Sequence, residues 1–185
     1  RQRPLAFANA TAVAAIAAPC SAKEAIVFTA RLLAKRVRAG LVKLPHDTKD
    51  ECIFCYSTAD GLAAVAAVDK RYPDRVATEL LRGLVEGMRT EHGMTWRAAT
   101  SDFSQKLSRL DATLAAAQDP AKIDKLTAVS DKLVEVKAVL QVTIEKVLER
   151  GELLDDLVER SADLSASAKK FYKATPKGWG CCVIV

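Results

Sequence analysis

Hydrophobic positions in the last third of the chain recur at alternating steps of three and four. The series is Leu126, Val129, Leu133, Val136, Leu140, Thr143, Val147, Arg150, Leu154, Leu157, Ser161, Leu164, Ala168 and Phe171. This spacing describes the a/d seam of a coiled coil, held for more than six heptads. Residues 123–173 contain no proline and one glycine, and are dense in Lys, Glu, Asp and Leu. A single helix over this stretch would be about 75 Å long. The ~115 residues before it would form a domain with a radius of gyration of only about 13 Å, so such a rod cannot lie wholly along its own domain. Its apolar burial is also too small to order so many residues unaided. The segment is therefore expected to be unfolded in isolation, parked on the preceding domain, or completed by partner helices.

The earlier part of the chain alternates between two other periods. Residues 22–38 are helical in pattern, with Ile26, Ala30, Leu33 and Val37 on one face. Ser21 is placed as N-cap, Glu24 as its capping-box partner, and Gly40 as the stop. Two strand-like runs follow, 51–58 and 62–68, joined by the hairpin pair Asp60-Gly61. Tyr72-Pro73 breaks the chain before a second helix at 74–89, with Ala77, Leu80, Leu84 and Met88 facing inward. An irregular stretch at 91–102 precedes a helix at 104–117, and Gln118-Asp119-Pro120 marks a linker. These signals divide the chain into an α+β domain (1–117), a linker (118–122), a coiled-coil motif (123–175) and a tail (176–185).

Charge narrows the partner class. The 185 residues carry a net charge of +5 and a pI near 9.0, with aromatics at 5%. Such a balance suits an anionic membrane surface. The basic residues form no stripe interleaved with aromatics, which disfavours nucleic acid. No apolar run reaches transmembrane length. Arg1 and Arg3 ahead of the alanine-rich run 5–18 imitate a secretory signal, but a strand and hairpin of a cytosolic domain accounts for them better.

Five cysteines, an odd number without framework spacing, point to a reducing compartment. The chain ends Cys181-Cys182-Val183-Ile184-Val185. Cys182 fits the C-a-a-X prenylation box, and Cys181 is a candidate for a second lipid, palmitoyl or prenyl. One lipid gives reversible membrane binding, and two give a stable anchor. Lys169, Lys170, Lys173 and Lys177 would add attraction to anionic lipid. Cys52-x-x-Cys55 lies in a predicted strand, where residues three apart face opposite sides, so no metal site is expected there. His46 and His92 are isolated and read as exposed loop residues. No catalytic constellation and no phosphate-binding G-x-x-x-x-G-K-[ST] loop is present. The expectation is a non-enzyme without cofactors other than covalent prenyl and acyl lipids.

The run Leu148-Glu149-Arg150-Gly151-Glu152-Leu153-Leu154-Asp155-Asp156-Leu157-Val158 resembles the central motif of synaptobrevin-like R-SNAREs. Counted outward from Arg150, every seam position falls on a layer position of that family. Phe28-Thr29, Asp60-Gly61-Leu62, Asp69-Lys70-Arg71-Tyr72-Pro73, Gln118-Asp119-Pro120 and the paired terminal cysteines extend the likeness to lipid-anchored longin R-SNAREs of the Ykt type, over residues 22–185. The resemblance implies a longin (profilin-like) domain with a five-stranded antiparallel sheet and flanking helices, followed by a long SNARE helix. It implies that Arg150 is the zero-layer arginine, meeting glutamines from Qa, Qb and Qc SNARE helices. It also implies a disassembly ATPase with its adaptor and tethering factors as partners, and cycling between cytosol and the cytoplasmic face of Golgi, endosomal, vacuolar or vesicle membranes. The alternative is a prenylated coiled-coil scaffold or tether without fusion activity. A homodimer of that kind would stack two Arg150 charges in one layer, which is unfavourable.

Overall fold

A computed structural model describes residues 20–45, 51–93, 107–108, 110–119, 139–162 and 164–173. Helix α1 spans Cys20–Arg36, so Ser21 lies inside the helix rather than capping it. The Glu24 carboxylate also reaches a distant part of the chain. It accepts the backbone N–H of Ser165 at 2.7 Å, a residue 141 positions away. After α1 the chain turns at Gly40, whose φ of +146° is a conformation L side chains rarely adopt. It then enters strand β1, Gly40–Pro45. Strand β2 (Glu51–Ser57) and strand β3 (Ala63–Asp69) form the hairpin read from the sequence. Its turn is closed by Thr58 N–H donating to the Leu62 carbonyl at 2.8 Å and Gly61 N–H to the Thr58 carbonyl at 3.0 Å.

Helix α2 runs from Asp74 to His92, with Ala77, Leu80, Leu84 and Met88 buried as their spacing requires. Helix α3 covers only Leu110–Ala117; Leu107 and Ser108 ahead of it form a turn, and 104–106 lie outside the described residues. Strand β4 is just Leu140–Gln141. Three short helices complete the fold: α4 (Ile144–Val147), α5 (Leu154–Arg160) and α6 (Ala166–Lys173).

The sheet order is β3-β2-β1-β4. The hairpin and the β1–β2 pair are antiparallel, while β4 joins β1 in parallel, with Val42 opposite Leu140 and Lys43 opposite Gln141. Among the described residues the sheet has four strands, and the parallel β1–β4 pair makes it mixed where an antiparallel sheet of five was expected. The outermost strand comes from the heptad segment. Residues 1–19 lie outside the described set.

Strand periodicity sorts the core into two layers. Leu41, Cys52, Phe54, Ala64 and Ala66 pack against α2 and α3. Val42, Leu44, Ile53 and Cys55 face the other way, toward Ile26, Leu33 and Val37 of α1 and Ile144 of α4. Lys43 shares the α2 side, where its ammonium pairs with Asp74 at 2.7 Å and lies 5.1 Å from the Phe54 ring centroid. Arg89 of α2 donates to both Asp60 oxygens, at 2.9 and 3.0 Å, and ties the hairpin tip to the helix. Burial pushes the Asp60 carboxyl up, but hydrogen bonds from Thr58 and Arg89 outweigh it and hold the group below its ordinary value. The Tyr72 hydroxyl donates to the Ala117 carbonyl at 3.0 Å and fastens the end of α3.

Candidate functional site: the folded-back heptad segment

The long helix expected from the heptads is not the arrangement of residues 139–173 in this structure. They turn back over the domain as β4, α4, α5 and α6. The break has local causes. Val142, Thr143 and Ile144 are β-branched and favour an extended entry. Val142 N–H donates to the Lys43 carbonyl at 2.9 Å, which extends the β1 ladder past β4. Gly151, at φ +85°, then reverses the chain between α4 and α5.

The seam residues meet different fates. Leu126, Val129, Leu133 and Val136 lie outside the described residues. Leu140 is 62% exposed, and Thr143 is also exposed. Val147, Leu154 and Leu157 are half-buried against the α1 layer. Ser161 is half-buried, whereas Leu164 and Ala168 are buried beside Phe28 of α1. Phe171 belongs to α6, but its side chain lies outside the described set. Arg150 stands exposed in the turn before Gly151. Cys181 and Cys182 lie outside the described residues.

The best-buried apolar residues of the middle of this segment are off the seam. Ile144 and Val158 are each 1% exposed. On a single coiled-coil helix both would sit beside the a/d stripe. Here Ile144 packs against α1 and the sheet, and Val158 against Phe28 of α1 with Leu164 and Ala168, so the segment carries a second apolar face beside the seam. The polar contacts are equally specific. Arg36 of α1 pairs with Glu149 and Glu152, each at 2.9 Å. The Ser165 hydroxyl accepts the Ala168 N–H at 3.3 Å and caps α6, while its own N–H goes to Glu24. Lys169 donates to the Glu159 carbonyl at 2.6 Å, joining α6 to α5.

Glu152 gives this packing a pH dependence. The hydrogen bond from Arg36 holds its carboxyl below the ordinary glutamate value of 4.5. A carboxyl lowered on folding contributes fully above its unfolded value. The contribution is lost as pH falls through the lower folded value. Acidification from neutrality to below 4.5 should therefore loosen residues 149–160. The effect should be at most about 1 kcal/mol, because both partners keep contact with water. Hydrogen exchange across that window should show it, and Glu152→Gln should remove the acid-dependent step while weakening the packing at neutral pH.

A synaptobrevin family model matches residues 125–177, which takes in the whole seam with Arg150 near its centre. The chain is 38% identical to the VAMP-like protein YKT61 of Arabidopsis thaliana over 166 residues, covering 89% of this chain and 82% of that protein. It is 37% identical to the synaptobrevin homolog ykt6 of Schizosaccharomyces pombe over 162 residues, covering 87% and 81%. With the synaptobrevin homolog YKT6 of Saccharomyces cerevisiae the identity is 35% over 167 residues, covering 89% and 83%.

The chain belongs to the Ykt-type family of synaptobrevin-like R-SNAREs. In this Ykt-type R-SNARE, then, the heptad segment lies within the synaptobrevin match, and residues 139–173 of it fold back on an α+β domain consistent with a longin fold. Its family role is in vesicle trafficking. Among the described residues no helix is long and apolar enough to cross a membrane.

Other sequence candidates can now be placed on this R-SNARE. Cys52 and Cys55 are buried in opposite core layers, as the strand period of two requires. Burial pushes the Cys52 thiol up to about 11 and the Cys55 thiol up to about 12, so both stay protonated near neutrality and are poor nucleophiles. His92 is half-buried at the end of α2 rather than on an exposed loop, and His46 lies outside the described residues. Sequence reasoning missed Arg36, Ile144 and Val158. Only the last two carried a signal: apolar side chains next to a seam that has no use for them.

Proposed function

We propose that the chain is the R-SNARE of a membrane-fusion complex, in which residues 123–175 leave the longin domain and zipper with Qa, Qb and Qc SNARE helices. The reading rests on one observation: the synaptobrevin match over 125–177 is centred on an arginine in register with a heptad seam. Arg150 then occupies the zero layer, its guanidinium donating to three glutamine side-chain carbonyls. Val147 and Leu154 seal that layer on either side. The seam from Leu126 to Phe171 orders only as partner helices bury it, and this coupled folding draws two bilayers together. The work is mechanical, not catalytic. Cys182 carries a prenyl group and Cys181 a palmitoyl or second prenyl group. The routes served are ER–Golgi, endosomal, vacuolar or autophagic transport, with recycling by the disassembly ATPase and its adaptor and capture by tethering factors.

The packing of Val147, Leu154, Leu157, Leu164 and Ala168 on the longin domain bears directly on this reading. Those residues cannot serve α1 and a Q-SNARE helix at once, so fusion begins with their release.

Lipid mixing tests the proposal. Liposomes carrying the lipidated chain should fuse with liposomes carrying the three Q-SNAREs. Cys182→Ser should abolish fusion and leave the chain in the soluble fraction, because the thiol that accepts the prenyl group is gone. Cys181→Ser should leave one lipid and an exchangeable membrane association. Retention of Cys182→Ser on membranes would show that the tail is not the anchor.

A further inference from the structure

The folded-back segment and α1 line an open pocket of about 450 Å³. That volume lies within the roughly 300–1,000 Å³ of small-molecule sites. Its floor is apolar, from Phe28, Leu32 and Leu157. Its lining also carries Arg31, Lys35 and Arg36 of α1 and Arg160 of α5, against one carboxylate among the described residues, Glu152. That carboxylate is already committed to Arg36. Arg160 gives its Nε to the backbone carbonyl of Asp156 at 3.3 Å, and its charge shares the Glu152 carboxylate with Arg36. Among the described residues no carboxylate forms a salt bridge with Lys35 or Arg160. Like charges brought together across a seam between two elements oppose the packing that brings them there. An anion seated between them would reverse that sign.

We propose that this pocket binds a phosphate-bearing polyanion that bridges Lys35 of α1 to Arg160 of α5. Phosphate is favoured over a carboxylate metabolite because guanidinium and ammonium groups here converge from two sides, which several phosphate oxygens can meet together. Because half of the site is built from the SNARE motif, it exists only while that motif is folded back. The ligand therefore stabilises the folded-back form by mass action and opposes assembly with partner helices to the same extent. The proposal concerns a small-ligand site and stands whether or not the chain drives fusion.

The chemistry has two sources, a free polyphosphate or a phosphoinositide headgroup, and two probes separate them. Full-length unlipidated chain is titrated with soluble inositol hexakisphosphate by calorimetry, and separately with phosphatidylcholine vesicles containing phosphatidylinositol bisphosphate. Saturable binding of the soluble probe assigns a free polyphosphate, and binding of the vesicles only assigns the headgroup. Binding of neither overturns the proposal. Lys35→Gln with Arg160→Gln, both at exposed positions, should weaken binding at least about tenfold. Lys146→Gln with Lys170→Gln removes the same charge from exposed positions of α4 and α6, outside the pocket lining, and should change it little. Equal losses from the two pairs would show a general response to net charge and overturn the site. Val158→Asp, which should detach α5, should also abolish binding. Native affinity in that variant would place the anion on α1 and overturn the bridging role.

Discussion

Replacing Arg150 with leucine will leave the free chain as stable as before and will cripple its assembly with Q-SNARE helices. The first half follows from exposure: Arg150 lies in a solvent-facing turn, where substitutions typically stay within about 0.5 kcal/mol. The second half follows from the layer it is proposed to enter. Leucine supplies no donors, so three glutamines would be sealed in underpaired, at about 1–3 kcal/mol for each unsatisfied group. Arg150→Gln keeps a donor but loses the charge-assisted contact. Assembly should survive it, with register and disassembly impaired more than stability. Changing one partner glutamine to arginine should rescue Arg150→Gln in a liposome fusion assay, because the layer again holds one arginine and three glutamines. Thermal melts of the monomer and fusion through repeated assembly cycles are the two readouts. Normal cycling by both single variants would show Arg150 to be a tolerated surface residue.

Val158→Asp should have the opposite profile, opening the monomer while sparing the seam. Val158 is 1% exposed in the folded-back form but occupies no layer position. Losing its burial costs roughly 2 kcal/mol, a shift of about thirtyfold toward the released segment. The carboxylate, if forced to stay, costs more. Capture by Q-SNARE helices should accelerate by the same factor until the open form predominates. Stopped-flow circular dichroism would follow it, and hydrogen exchange should show residues 139–160 losing protection while the β2–β3 hairpin keeps it. Ile144→Asp should act the same way, although Ile144 also touches the Val42 and Leu44 layer. An association rate equal to that of the native chain would mean that packing on α1 does not limit assembly.

The parts of this fold that were legible in the sequence were those whose burial is one-sided. Helix α2 buries one stripe, and the β2–β3 hairpin has an Asp-Gly turn between alternating runs, so period and turn chemistry agree. Strand β1 was not foreseen. It is short, ends in Pro45, and sends Leu41 and Val42 into opposite cores, so it shows no polar alternation. Strand β4 was read as helix because Leu140 keeps heptad spacing. The open edge of β1 overrode that local signal by offering backbone partners to Leu140–Val142. The pairing of Arg36 with Glu152, 116 positions apart, left no trace in any local pattern. The heptad register is legible because it recurs at fixed steps along the chain itself, whatever the segment packs against.

The two-residue pairing of β4 with β1 has a consequence for the opened chain. While it holds, the Val42–Lys43 stretch is an inner part of the sheet. Once it is gone, Gly40–Pro45 becomes a bare rim whose unpaired amides and carbonyls can template another molecule's strand. Lys43 on that strand and Pro45 at its end, which lacks an N–H, blunt such stickiness but do not abolish it. A released form of the chain would therefore also be the more aggregation-prone one. A cell that stores this protein unassembled does better to keep it shut and open it only where helices are waiting.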